Sequence, residues 1–178
     1  MHAPEGFAEF VAARSPALLR TAWLLTGDRG RAEDLVQEAL AKTWRKWSSV
    51  AERERPEAYV RAVMVNTSVS WWRRRWRGEI PTELLPDPSG YSDPMAHVDV
   101  REAVRQALAT LSPRQRAVLV LRYFDDLTET ETAAAMGCSV GTVKSQASRA
   151  MARLRESPQL GDLVTGGKTG GLVGRRDE

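Results

Sequence analysis

A single cysteine, Cys138, stands in the 178 residues, which excludes an internal disulfide framework and a multi-cysteine zinc site. Histidine is nearly as scarce. His2 and His97 are the only two, so Cys138 is taken as a structural thiol, and neither a metal nor another cofactor is expected. No segment approaches the roughly 20 apolar residues that a membrane-crossing helix requires, and the start of the chain lacks a basic stretch followed by an apolar run. A soluble, cytoplasmic protein is the expectation. There is no glycine-rich phosphate loop before a helix, no metal-ligand cluster and no convincing nucleophile and base pair, which argues against an enzyme. Strand signals are sparse as well, because β-branched residues seldom alternate with polar ones.

What is present is helical vocabulary: Ala, Leu, Arg and Glu dominate, and these favour helices. The net charge is only +3, but it is unevenly distributed. Residues 1–78 hold fourteen Lys and Arg against nine Asp and Glu, and residues 100–156 hold nine against six. Between them, residues 79–99 hold five acids and no base, while the tail 157–178 balances three against three. Two basic blocks around an acidic spacer suit two modules that share a polyanionic partner, with a connector which that partner repels. The spacer contains Pro81, Pro86, Pro88, Gly90 and Pro94, the composition of a flexible linker. The fold expected is therefore all-α: two small helical domains, 1–78 and 100–156, joined by a flexible acidic linker over 79–99. The Gly-rich tail 157–178 is expected to be disordered.

In the first block, helices are predicted over 7–25, 31–47 and 56–77, broken at Thr26-Gly27-Asp28 and ended before Gly78. Val36, Leu40, Thr43 and Trp47 repeat at helical spacing and mark a buried stripe. Asp34, Gln37, Glu38 and Ala41 share another face, which could meet a basic partner or simply face solvent. The third helix carries two apolar stripes, Val60-Met64-Thr67-Trp71 and Val65-Val69-Trp72-Trp76, beside a polar face of Asn66, Ser70, Arg73 and Arg77. Together the two stripes span more arc than a helix in a three-helix unit normally buries. Tryptophans interleaved with arginines over 71–77 can combine phosphate neutralisation with stacking on unpaired bases, and a core helix with a basic edge is the alternative.

The second block opens with a stripe of Val100, Val104, Ala107, Leu108 and Leu111. Ser112-Pro113 supplies an N-cap and a first-turn proline for a helix through about Phe124, ended by Asp125-Asp126. Thr128 and Glu131 form a capping-box signature for a short helix that closes at Gly137, and Ser139 caps a longer basic one. A short Ala-rich helix, a tight glycine turn and a second helix with Val143 at the bend make a helix-turn-helix. Thr142, Lys144, Ser145, Gln146, Ser148 and Arg149 lie polar on that second helix, as a duplex-DNA reader requires.

Four runs then fall in a familiar order. Ala32-Glu33-Asp34-Leu35-Val36-Gln37-Glu38-Ala39, Ala62-Val63-Met64-Val65-Asn66-Thr67, Leu111-Ser112-Pro113-Arg114-Gln115-Arg116 and Ser139-Val140-Gly141-Thr142-Val143-Lys144-Ser145 resemble the extracytoplasmic-function (ECF) type of RNA polymerase sigma factor. The resemblance covers roughly residues 7–156. It implies a first domain (sigma region 2) that docks on polymerase core and captures the melted minus-ten element, and a second (region 4) that reads the minus-thirty-five element. On that likeness Asp34, Gln37 and Glu38 face the clamp helices of the largest subunit, and the second domain meets the beta flap. Asn66, Ser70, Arg73 and Arg77 contact minus-ten DNA, while Thr142, Lys144, Ser145, Ser148 and Arg149 contact the minus-thirty-five duplex. An anti-sigma factor is a further partner the family suggests.

Two departures stand out: Gln146 occupies a position commonly basic in the family, and the Gly-rich tail exceeds the minimal architecture. The competing reading is a conventional helix-turn-helix regulator. That alternative explains 100–156 equally well but leaves the acidic face at 34–38 and the Asn66 face without a purpose.

Overall fold

A computed structural model describes residues 4–51, 55–76 and 96–158. Every regular element among them is helical, as the composition implies. Helix α1 (Phe7–Thr26) ends where Gly27, at φ 72°, takes the left-handed conformation and donates its N–H to the Trp23 carbonyl at 2.7 Å. A side chain with a Cβ would be strained there. The Asp28 carboxylate then accepts from the Arg31 N–H at 2.8 Å and starts α2 (Arg29–Trp44). This two-residue link turns α2 back along α1.

The structure departs from the sequence reading after Trp44, where the chain leaves α2 and forms the short α3 (Trp47–Ala51). Trp47 is buried all the same: its ring meets Phe7 edge-on at 5.0 Å and Phe10 at 5.2 Å, and its Nε1–H donates to the Glu5 carbonyl at 2.8 Å. Helix α4 (Pro56–Trp76) completes the first unit by packing on α1 and α2. Its centre is largely aliphatic, with Leu18, Leu35, Ala39, Val60 and Met64 wholly inaccessible.

The second unit begins at α5 (Ala96–Ala109), a few residues ahead of the predicted start. Helix α6 (Pro113–Leu119) opens on a complete capping box between Ser112 and Gln115. It continues as a π-helical turn over Val120–Phe124, in which the Asp125 N–H reaches back to the Val120 carbonyl at 3.0 Å. Such an inserted turn redirects the chain. Here it delivers the Asp125 side chain inward, next to Asp126 at a left-handed φ of 52°.

Helix α7 (Glu129–Met136) has the Thr128–Glu131 capping box foreseen from sequence, and Gly137 closes it at φ 61°. Ser139 caps α8 (Val140–Arg155) by accepting from the Thr142 N–H at 3.1 Å. Val118, Ala133 and Val143 form the small core of this helix-turn-helix. The two units are not separate bodies: α4 packs on α6 and α7, α1 on the π turn, and their buried apolar side chains make one continuous cluster. Residues 77–95 and 159–178, which hold most of the predicted linker and tail, lie outside the described residues; Ser157, at the start of that tail, is buried.

Candidate polymerase and promoter surfaces

The leucine and valine positions of α2 turn inward, and this leaves Asp34 and Gln37 exposed on the opposite side. Glu38 belongs to that face only in part. It is half-buried, and its Oε1 lies 2.6 Å from the Lys42 ammonium, which also donates to Thr67 Oγ1 at 3.1 Å. The i,i+4 spacing of Glu38 and Lys42 was a readable signal for this pair.

Lys42 thereby ties α2 to α4 at the edge of a cleft of about 340 Å³, bordered by Glu38, Asn66, Ser70, Trp71 and Arg74. An indole, an amide, a hydroxyl and cations of both helices thus converge on one opening. That set can stack a flat ring, hydrogen-bond its edge and neutralise an attached phosphate. The sequence reading named Asn66 and Ser70, and Trp71 and Arg74 within the 71–77 run, but missed Lys42, which the α2–α4 packing brings in. Arg73 is exposed on the next turn, and Arg77 lies outside the described residues.

On α8 the buried residues are Val143 and Ala150. This orients Lys144, Ser145, Ser148 and Arg149 to solvent on the far side. Thr142 is less free than the sequence suggests: its hydroxyl pairs with Ser139 Oγ at 2.9 Å, and its carbonyl accepts from Ser145 Oγ at 3.0 Å. Lys144 Nζ lies 3.6 Å from Glu129 Oε2 on α7, a loose surface pair that a phosphate could displace. Gln146 is half-buried.

The chain matches the family models Sigma-70 region 2 over residues 10–78 and Sigma-70, region 4 over 101–154. It is 46% identical over 157 residues to the RNA polymerase sigma-E factor of Streptomyces avermitilis, covering 88% of this chain and 87% of that one. With the ECF RNA polymerase sigma factor SigL of Mycobacterium tuberculosis it shares 34% over 143 residues, 78% of this chain and 80% of the other. The chain is a member of the ECF sigma-factor family. It binds RNA polymerase core and directs promoter recognition. A solved structure of the sigma factor RpoE of Bartonella quintana, in complex with the anti-sigma factor NepR, has a TM-score of 0.71 and 30% identity, covering 89% of this chain and 98% of that one. No described helix of this sigma factor is long and apolar enough to cross a membrane.

The contacts that sequence reasoning missed entirely lie where region 4 of the sigma factor meets region 2. Arg116 is 3% exposed; its Nε donates to the Leu108 carbonyl at 2.9 Å and its Nη1 to the Leu25 carbonyl at 3.0 Å. Its guanidinium also sits 5.4 Å from the Trp72 ring centroid. Among the described residues no carboxylate pairs with it, and desolvation depresses its pKa to about 10. Nearby, Thr21 Oγ1 donates to Asp125 Oδ1 at 2.8 Å, and Arg61 Nε approaches Asp125 Oδ2 at 3.2 Å without completing a hydrogen bond. Asn66 Nδ2, the predicted base contact, points to the Ala135 carbonyl of α7 at 3.5 Å.

Proposed function

We propose that the residue roles divide along these surfaces. The exposed Asp34 and Gln37, with Glu38 at their edge, present the acidic side of α2 to the clamp helices of the largest polymerase subunit, and region 4 meets the beta flap. The α2–α4 cleft takes an unpaired base of the minus-ten element, with Asn66 and Ser70 on its edge, Trp71 beside its face, and Arg73 and Arg77 along the backbone. Helix α8 enters the minus-thirty-five major groove with Lys144, Ser145, Ser148 and Arg149, Thr142 stiffening its first turn.

The single observation that supports this reading best is the cleft. Its amide, indole and cations suit a base that has left the stack, whereas a duplex offers base edges in its grooves. The protein acts in the cytoplasm, where polymerase and promoter are, and has no catalytic chemistry of its own. By the likeness to the RpoE of Bartonella quintana, an anti-sigma partner is proposed here too.

The test is transcription in vitro from a genomic promoter library with purified core polymerase. Asp34→Arg should abolish association with core, because it reverses charge on an exposed face, while changing folding stability by no more than about 0.5 kcal/mol. Asn66→Ala should join core normally and fail to open promoters. Start sites that do not depend on the added protein, together with tight duplex binding by the protein alone, would support a conventional regulator instead.

A further inference from the structure

The α2–α4 cleft holds two cations in different states. Arg74 is exposed at its border, and among the described residues no carboxylate pairs with it. Lys42 lines the same opening and is held twice: its ammonium lies 2.6 Å from Glu38 Oε1, one turn back on α2, and it donates to Thr67 Oγ1 of α4 at 3.1 Å. An ammonium carries three N–H donors. Two are engaged, and one is left for whatever enters the cleft.

The two cations therefore suit different acceptors. A phosphate at Lys42 would bring its charge up against the Glu38 carboxylate, and like charges at such range repel. A neutral carbonyl oxygen meets no such penalty, and a donor fixed beforehand by two ties loses little freedom on binding it. Arg74 has the opposite character: a guanidinium with no carboxylate beside it is free to take a phosphate in the fork of its donors.

We propose that Lys42 reads the edge of the unpaired base, selecting one with a carbonyl oxygen (thymine, cytosine or guanine) over adenine, and that Glu38 and Thr67 are its positioning residues. The proposal rests on the minus-ten reading of the cleft. Lysine only donates, and adenine alone among the four bases has no carbonyl oxygen; it offers ring nitrogens and an amine that is itself a donor. Asn66 both donates and accepts, so it tolerates either kind of edge. Lys42 supplies the choice that the amide lacks, while the backbone of the strand is left to Arg74 and the other arginines.

The experiment uses holoenzyme assembled from core polymerase and the full chain, purified so that a change in core affinity does not enter; assembly also shows that each variant is folded. Its probe is a single-stranded oligonucleotide carrying the minus-ten element of a promoter found by transcription in vitro, with each of the four bases placed in turn at each position of the element. Wild type should favour the carbonyl-bearing bases over adenine about tenfold at one position, the scale of one hydrogen bond to a charged group. Lys42→Met should remove that preference and leave the salt dependence of binding as it was. Arg74→Gln should instead weaken all sequences alike and lower the logarithmic salt slope by about 0.7. Thr67→Val should cut the preference about threefold, half of it on a logarithmic scale, and Thr67→Ser should restore it. Glu38→Gln frees the Lys42 charge for the backbone, so it should blunt the preference and steepen the slope by about 0.7.

If Lys42→Met weakens every sequence alike and lowers the salt slope, Lys42 is a backbone contact and the proposal is overturned, while a loss of binding in Asn66→Ala still marks the cleft as the minus-ten site. Lys42→Met, Arg74→Gln and Asn66→Ala all without effect would overturn the minus-ten reading and the proposal with it.

Discussion

The interior of region 2 and the seam between region 2 and region 4 are both shielded from water, yet they are built from different materials. Leu18, Leu35, Val60 and Met64 fill the first with aliphatic volume, and its buried hydroxyls Thr43 and Ser68 are satisfied by carbonyls of their own helices. The second holds Arg116, Asp125, Arg61 and Thr21, charges and a hydroxyl that are only partly matched. Aliphatic packing loses free energy in proportion to the area exposed, with nothing regained. Charged seams lose contacts and regain hydration, so they can be closed and still come apart. The contrast separates a packed aliphatic interior from a contact surface that carries charge.

The largest effect should come from the core side of the comparison. Leu35→Ala leaves a cavity at an inaccessible site and should cost about 2–5 kcal/mol of unfolding free energy, seen in a denaturant melt. Thr21→Val at the seam should cost about 1 kcal/mol or less in the same melt, the worth of one hydrogen bond. If the two losses were equal, the seam would be part of the folded core. Thr128→Ala, which deletes the α7 capping box, should fall between them or near the lower value at about 1 kcal/mol, confined to region 4.

The smallest effect is that of pH. Burial lifts the Asp125 carboxyl above its ordinary value, and this outweighs the lowering by the Thr21 hydrogen bond and by Arg61 and Arg20; Glu57 adds to the rise. The folded form therefore holds the proton more tightly than the unfolded one. The contribution of this group to stability is greatest in acid and is lost as pH rises through the lifted value. Denaturant melts from neutral down to about pH 5 should show the stability difference between wild type and Asp125→Asn moving in favour of wild type as pH falls. Glu131 works in the opposite sense: bonds from the Thr128 backbone and hydroxyl hold its carboxyl below the ordinary value, so its cap is intact at neutral pH and fades only as pH falls through that lowered value.

Much of the architecture was legible because its signals are local. Ser112, Thr128, Ser139 and Gly137 each announce a helix end through a cap that needs only neighbouring residues, and the structure places each one there. The break after Trp44 was not legible. No glycine or proline marks it, and Trp47 stays buried across it because Phe7 and Phe10 receive its ring, which preserves the periodicity of a single helix. Arg116 was hidden for a similar reason: in a run with Arg114 and Gln115 it looks like surface charge, and only the fold brings the Leu25 carbonyl to it. Part of the excess apolar arc of α4 packs on region 4 of the same chain, which periodicity cannot foretell.

The central claim is that the acidic side of α2 serves the polymerase and the α2–α4 cleft serves the melted promoter. Core binding and promoter opening, measured side by side for Asp34→Arg and Asn66→Ala, test it most directly. Loss of core binding in the first variant, with normal core binding and failed opening in the second, is the result this account predicts. Two variants that fail at the same step would contradict it.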